Sequence, residues 1–378
     1  MFSEKEAQTM NPFEKTTIGG IELKNRFALA PMTTYSGNPD LTPSDEEIHY
    51  LSLRSHGPAM IISPAIAVNE QAQAFTNQMS LMDDGKILPM KCLVDSIKAK
   101  GGVPIAQLHH GGRMNDPECH ANHDNIVAPS AVKALYGNKV TPRPMRLDEI
   151  EYTVADFKAA TLRAIKAGYQ GIELHGANTY LLQQFFSPHS NKRDDIYGGS
   201  FDNRMNFIKQ VIDETLKVIK THATEKFILG YRFSPEEIEE DGITMEMTLK
   251  LIAYLKTKPF DYLHASLRHY KQSSLRDEKD ETLLVDKIQS VLNHEIPLIG
   301  AGGVDTKEKA EEALNAGFDY IAVGFSVLAD PNAIDQMQQG KLPSKAIDAS
   351  TLPTNLLKRL EKYKDRLEKD GFTFYNLP

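Results

Sequence analysis

The sequence predicts an α/β fold, a (β/α)8 TIM barrel in a single domain with a helical C-terminal extension. Three observations point there. Eight short apolar runs of strand character recur along the chain, and segments of helical period lie between them. Several helical segments close on glycine, at Gly57, Gly101, Gly168 and Gly317, the residue that ends helices most readily. No stretch rich in Pro, Gly or Ser divides the 378 residues, so one sheet can serve the whole chain.

Taken in order, the strands are expected at Phe27–Pro31, Met60–Pro64, Val103–Leu108, Gly171–Leu174, Phe227–Phe233, Tyr262–Ser266, Pro297–Ile299 and Tyr320–Val323. Helices are expected at Asp45–His56, Lys86–Lys100, Val154–Ala167, Asn203–Thr221, Met245–Lys256, Glu281–Leu292 and Lys307–Ala316. The barrel then occupies about residues 24–340, and a helical tail about 341–378. In the tail, Thr354 to Gly371 carries a charged helical pattern. The aromatics Phe372, Phe374 and Tyr375 after it point to an interface, as in a homo-oligomer, or to docking on the barrel.

Composition narrows the function. Apolar residues are 41% and charged residues 25%, ordinary for a soluble enzyme. The net charge of −8, with no basic stripe interleaved with aromatics, argues against nucleic acid. No apolar run approaches the ~18 residues of a membrane span. The N-terminal residues lack the basic-then-apolar build of a signal peptide, and two distant cysteines, Cys92 and Cys119, suit a reducing cytoplasm. The His-rich stretch from His109 to Asn125 matches no zinc spacing and reads as a solvated loop.

Residues 171–207 hold the chemistry. The strand ends on His175, Asn178 and Tyr180, and a long loop follows, punctuated by Phe185, Phe186, Tyr197 and Phe201. His175 and Asn178 can each offer an N–H donor, and two donors converging on one oxygen would polarise a carbonyl or hold a phenolate. Tyr180 carries a hydroxyl able to deliver a proton. Spacing alone favours the plainer reading, with His175 and Asn178 satisfied inside the loop and Tyr180 filling the core.

The run His175 to Arg204, HGANTYLLQQFFSPHSNKRDDIYGGSFDNR, resembles the signature of the Old Yellow Enzyme family, NAD(P)H-dependent FMN ene-reductases. Further matches spread from Lys24 to Pro331. The resemblance implies FMN as cofactor and NADH or NADPH as reductant. It also implies ping-pong reduction of the C=C bond of an α,β-unsaturated carbonyl compound. His175 and Asn178 would bind the carbonyl oxygen, and Tyr180 would protonate the α-carbon. Pro31, Met32 and Thr33 would lie along the flavin, with Tyr35 beside the substrate and Ala65 near the flavin edge.

The other strand ends fit that picture. Gln107, in a QLHHGGR run matching the family's Q-L-x-H-x-G-R, offers an amide suited to the pyrimidine edge. Arg232, an arginine within an apolar strand, would stabilise negative charge on the reduced ring, or else pair with Glu173 or Asp261. The loops holding Gly302 and Gly303 and then Gly324 and Phe325 follow strands seven and eight, where such barrels bind phosphate. Phe325 departs from the family's arginine, and Arg268 to Lys271 is more charged than usual there. Two other readings stand beside this one: a flavin-free phosphate-binding aldolase or isomerase, and an FMN-binding module without catalysis.

Overall fold

The structure is a computed structural model that describes residues 10–137 and 140–376. Eight parallel strands form a closed ring: β1 Phe27–Leu29, β2 Met60–Ile62, β3 Val103–His109, β4 Gly171–Gly176, β5 Ile228–Phe233, β6 Tyr262–Ala265, β7 Leu298–Ala301 and β8 Tyr320–Val323. Each pairs with its sequence neighbours, β8 pairs with β1, and the β2–β3 pairing closes the ring. The expected strands all appear, shifted by one or two residues at their ends.

Between them run α1 Asp45–Leu53, α2 Ile87–Lys98, α3 Leu147–Lys166, α4 Asn206–His222, α5 Met245–Leu255, α6 Leu284–Leu292 and α7 Lys307–Asn315. Local chemistry starts them. Ser44 caps α1 by accepting from the Glu47 N–H at 3.1 Å, and Thr306 caps α7 by accepting from that of Lys309 at 3.2 Å. Helix α3 begins at Leu147, earlier than the expected Val154. Glu149 reaches back to the Arg146 N–H at 2.8 Å and takes a two-point ion pair from Arg143, so a charged first turn is stable there.

Strand alternation separates two cores. Outward residues such as Ile172, Leu174, Leu229, Tyr231 and Phe233 pack under the helices. Inward residues form a second apolar cluster at the amino ends of the strands, including Met60, Ile62, Ile105, Ile228 and Tyr262. A hairpin of Thr16–Ile18 and Ile21–Leu23 caps that end with Ile18 and Leu23. Toward the carboxyl ends the inward face turns polar: Gln107 and His109 on β3, Glu173 and His175 on β4, Arg232 on β5, His264 on β6, all buried. The same strands are thus greasy at one end and reactive at the other.

After β8 come α8 Phe325–Ala329, α9 Ala333–Gln338, α10 Thr354–Glu361 and α11 Lys364–Lys369, so the tail pattern breaks into two helices. Its aromatic end docks within the chain: Thr373–Tyr375 pairs in parallel with Ala346–Asp348. Buried Arg54 of α1 anchors this region, donating to the carbonyls of Leu328 at 2.8 Å and Thr351 at 3.3 Å. Among the described residues no helix is long and apolar enough to cross a membrane.

Candidate active site

Strand β4 delivers His175 to the carboxyl end of the barrel, 3% exposed. The Ala177 N–H donates to its Nδ1 at 3.3 Å, so the ring proton sits on Nε2, which has no partner among the described residues. Burial first, then the neighbouring His109, Arg232 and His264, hold its pKa well below the ordinary histidine value. The ring is therefore a neutral N–H donor at physiological pH.

The chain then turns through two left-handed residues, Asn178 at φ 55 and Thr179 at φ 64. That turn exposes the Asn178 amide, and its direction is fixed. The Ser266 hydroxyl donates to Asn178 Oδ1 at 2.8 Å, which leaves the NH2 group facing out. Ser266 in turn accepts from Arg232 Nη2 at 3.2 Å, and Ser234 accepts from the Asn178 backbone N–H at 2.8 Å. Tyr180, half-buried, stands edge-on to His175 with ring centroids 4.9 Å apart. Burial raises its hydroxyl well above the ordinary tyrosine range, so it stays protonated.

Around these lie residues that the sequence did not mark as functional, and the stretch from His109 to Asn125, expected to be a solvated loop, is buried at His109, His110, Arg113, Asn115 and His120, because His109 still belongs to β3 and the turn after it packs onto the barrel. His109 packs 4.3 Å from Tyr180 and 5.5 Å from His175. Gln78 accepts from the Ala74 N–H at 2.7 Å and donates from Nε2 to the Ala65 carbonyl at 3.1 Å. The same Nε2 therefore donates to His109 Nδ1 at 3.0 Å. His109 thus carries its proton on Nε2, also buried and unpartnered. Strand alternation could have found it, because His109 shares the inward face with Gln107. Ser234 and Ser266 gave no such signal; each lies just past a strand end and meets Asn178 only in the folded chain.

The remaining expected residues sit as follows. Arg232 is 8% exposed and has no carboxylate within ion-pair distance among the described residues. Neither Glu173 nor Asp261 pairs with it directly, and its Nε has no partner. Gln107 donates to Glu173 at 2.6 Å and leaves Oε1 without a protein partner. Thr33, half-buried, has a hydroxyl with no protein partner, whereas Thr34 beside it is committed to buried Glu47 at 2.5 Å. Pro31 and Met32 are half-buried; Met32 lies where a Cβ on Gly324 would come within 3.2 Å of its sulfur. Ala65 is buried beside Gln78. Tyr35 is held by the tail: Asn355 donates to its carbonyl at 3.0 Å, and the Arg359 guanidinium lies 4.5 Å over its ring.

The glycine loops close the other side. Gly302 has φ 98 and Gly303 φ 79, and a Cβ on Gly302 would fall 2.4 Å from the Arg268 carbonyl oxygen. The N–H groups of Gly302, Gly303, Gly324 and Phe325 have no protein acceptor among the described residues. The Phe325 side chain is 47% exposed and packs on Phe372 of the tail, so only its main chain is offered to this loop pair. Lys271 is taken by Glu312 on α7.

Together these are a buried guanidinium without a counter-ion, an amide oxygen, a free hydroxyl and a set of unused N–H donors. They fit a group with an electron-rich ring at one end and a phosphate at the other.

Residues 11–343 match the family model described as NADH:flavin oxidoreductase / NADH oxidase. The chain belongs to this family. FMN is the family's cofactor and a reduced nicotinamide its electron source, and the old yellow enzymes share its barrel. The chain is 42% identical over 315 residues to NADH:acrylate oxidoreductase of Vibrio harveyi, covering 82% of this chain and 31% of that one. It is 36% identical to the "probable NADH-dependent flavin oxidoreductase YqiG" of Bacillus subtilis, covering 88% and 90% of the two chains. The chain thus spans about a third of the first relative's length and nearly all of the second. Among solved structures, morphinone reductase in complex with tetrahydroNAD is 28% identical with a TM-score of 0.75, over 90% of this chain and 94% of that one.

Proposed function

We propose that this chain reduces the C=C bond of α,β-unsaturated carbonyl compounds with electrons from NADH or NADPH, in two alternating half-reactions at one site. One observation carries the reading: His175 Nε2–H and the Asn178 NH2 group are both unpartnered donors whose directions the surrounding chain has fixed. Two such donors accept negative charge on an oxygen without having to reorganise, which is worth about 3 kcal/mol per donor in comparable oxyanion sites.

Bound FMN would supply the hydride chemistry. The chain's own residues do the rest. His175 and Asn178 hold the carbonyl oxygen and draw electrons from the alkene. Tyr180, kept protonated by burial, gives a proton to the α-carbon and recovers one from solvent. Arg232 offsets negative charge at the far end of the ring, Gln107 accepts from the ring's edge, and the glycine-loop N–H groups hold the phosphate. Pro31, Met32, Thr33 and Ala65 line the flavin, and Tyr35 borders the substrate.

An aldolase or isomerase reading needs a free lysine or carboxylate base pointing inward; the inward carboxylate here, Glu173, has both oxygens engaged. A second reading has one observation in its favour: the 42%-identical relative is a much longer chain. On it, the barrel oxidises NADH and passes electrons to another redox group. Tyr180→Phe separates the two. Enone reduction should slow by a hundredfold or more while reduction of the flavin by NAD(P)H persists. Equal rates in both half-reactions would remove Tyr180 as proton donor and favour onward transfer.

A further inference from the structure

We infer that Glu173 is a positioning residue for the bound flavin: its buried carboxylate fixes the direction of the Gln107 amide, and its negative charge would oppose reduction of FMN held at this mouth. Glu173 lies two residues before His175 on the inward face of β4 and is fully buried. Its Oε1 accepts from Gln107 Nε2 at 2.6 Å, and its Oε2 faces His264 Nδ1 at 2.9 Å. An ionised carboxylate only accepts hydrogen bonds. Gln107 must therefore turn Nε2 toward Glu173, which leaves Oε1 for a ligand N–H such as the imide of a flavin.

The same rule puts the proton of His264 on Nδ1. Its Nε2 is buried with no partner, as a bare lone pair can be, and burial lowers the ring's basicity. Burial alone would raise the pKa of Glu173, but His264, Arg232 and Gln107 together hold it below the ordinary carboxylate value. With His264 neutral, the inward residues described at the carboxyl ends of the strands carry one anion, Glu173, and one cation, Arg232, not directly paired. Two-electron reduction of a bound flavin ring with uptake of one proton would add one negative charge. Arg232 favours that charge, and Glu173 resists it across a medium that screens poorly.

The inference rests on FMN lying across this mouth, and it holds whichever acceptor takes the electrons. The test therefore uses no acceptor: FMN-loaded protein is titrated anaerobically against a reference dye to find the flavin midpoint potential. In Glu173→Gln the new amide can still accept from Gln107 and donate to His264, which needs only to move its proton to Nε2. Reduced FMN should then gain on oxidised FMN by tenfold or more in binding, a rise of about 30 mV for a two-electron couple. Glu173→Asp keeps the charge and should stay within that tenfold. His264→Gln should do likewise, and it decides independently of how well E173Q folds.

An unmoved potential in E173Q, or an equal rise in E173D, overturns the inference. A fall of the same size in H264Q also overturns it, because that would make the histidine a cation cancelling Glu173.

Discussion

Ser266→Ala tests the proposed oxygen-binding fork at its least obvious point. The hydroxyl donates to Asn178 Oδ1 at 2.8 Å and accepts from Arg232 Nη2 at 3.2 Å. Without it, nothing among the described residues sets which end of the Asn178 amide faces the mouth. One neutral hydrogen bond is worth about 1 kcal/mol net, roughly fivefold in a binding constant. An amide free to present oxygen or nitrogen costs up to about another factor of two, so the expected loss is roughly five- to tenfold. The assay is titration of the oxidised yellow protein with a para-substituted phenol, whose oxygen takes the same two donors and produces a long-wavelength absorbance band. Enone reduction should slow by a similar factor while FMN stays bound. A phenol dissociation constant within about twofold of the parent's would show that Ser266 does not hold the amide, and the fixed-donor argument would fail with it.

Three further perturbations have definite outcomes. Burial keeps His109, His110 and His175 neutral in the fold, His110 down to about 3, whereas each takes up a proton below pH 6.5 once unfolded, and burial lowers His264 in the same direction. Glu47, pushed up to about 7 by burial, works the other way, because above 4.5 it ionises on unfolding. Net uptake of at least two protons makes stability fall with decreasing pH by at least about 2.7 kcal/mol per unit between roughly pH 6 and 5. A melting midpoint that stays flat or rises over that range contradicts the assignment. Gly302→Ala strains a left-handed residue and drives a Cβ against the Arg268 carbonyl. Fluorescence titration should show FMN bound at least about tenfold more weakly. Arg54→Leu strips donors from buried carbonyls at Leu328 and Thr351 and should cost about 3 kcal/mol in urea unfolding. A loss under about 1 kcal/mol would mean the tail is anchored elsewhere.

The barrel could be read from the chain because parallel strands covered on both faces are short, uninterrupted apolar runs, as in Met60–Ile62 and Tyr320–Val323. His175, Asn178 and Tyr180 were visible for a different reason, since they crowd one strand end. What stayed hidden depends on contacts between distant residues. Ser266 meets Asn178 across 88 residues of chain and Gln78 meets His109 across 31, and neither serine nor glutamine is unusual where it stands. Arg232 was expected to serve the flavin or to form a buried ion pair; only the packed interior shows that no carboxylate among the described residues comes close enough. The break in the tail between Glu361 and Lys364 and the final strand beside Ala346–Asp348 were likewise obscured, because the helical pattern runs on across the break and the strand's partner lies some 27 residues earlier in the chain.

The left-handed pair at Asn178 and Thr179 has a consequence for anyone engineering this scaffold. Thr179 is β-branched and poorly suited to φ 64, and it is kept there by bonds to Gln183 at 3.0 Å and Gln184 at 2.6 Å. Glycine adopts that left-handed conformation without strain, so Thr179→Gly should melt higher. It would also free the hinge on which the neighbouring amide is aimed, so a hardier protein would be a less discriminating one.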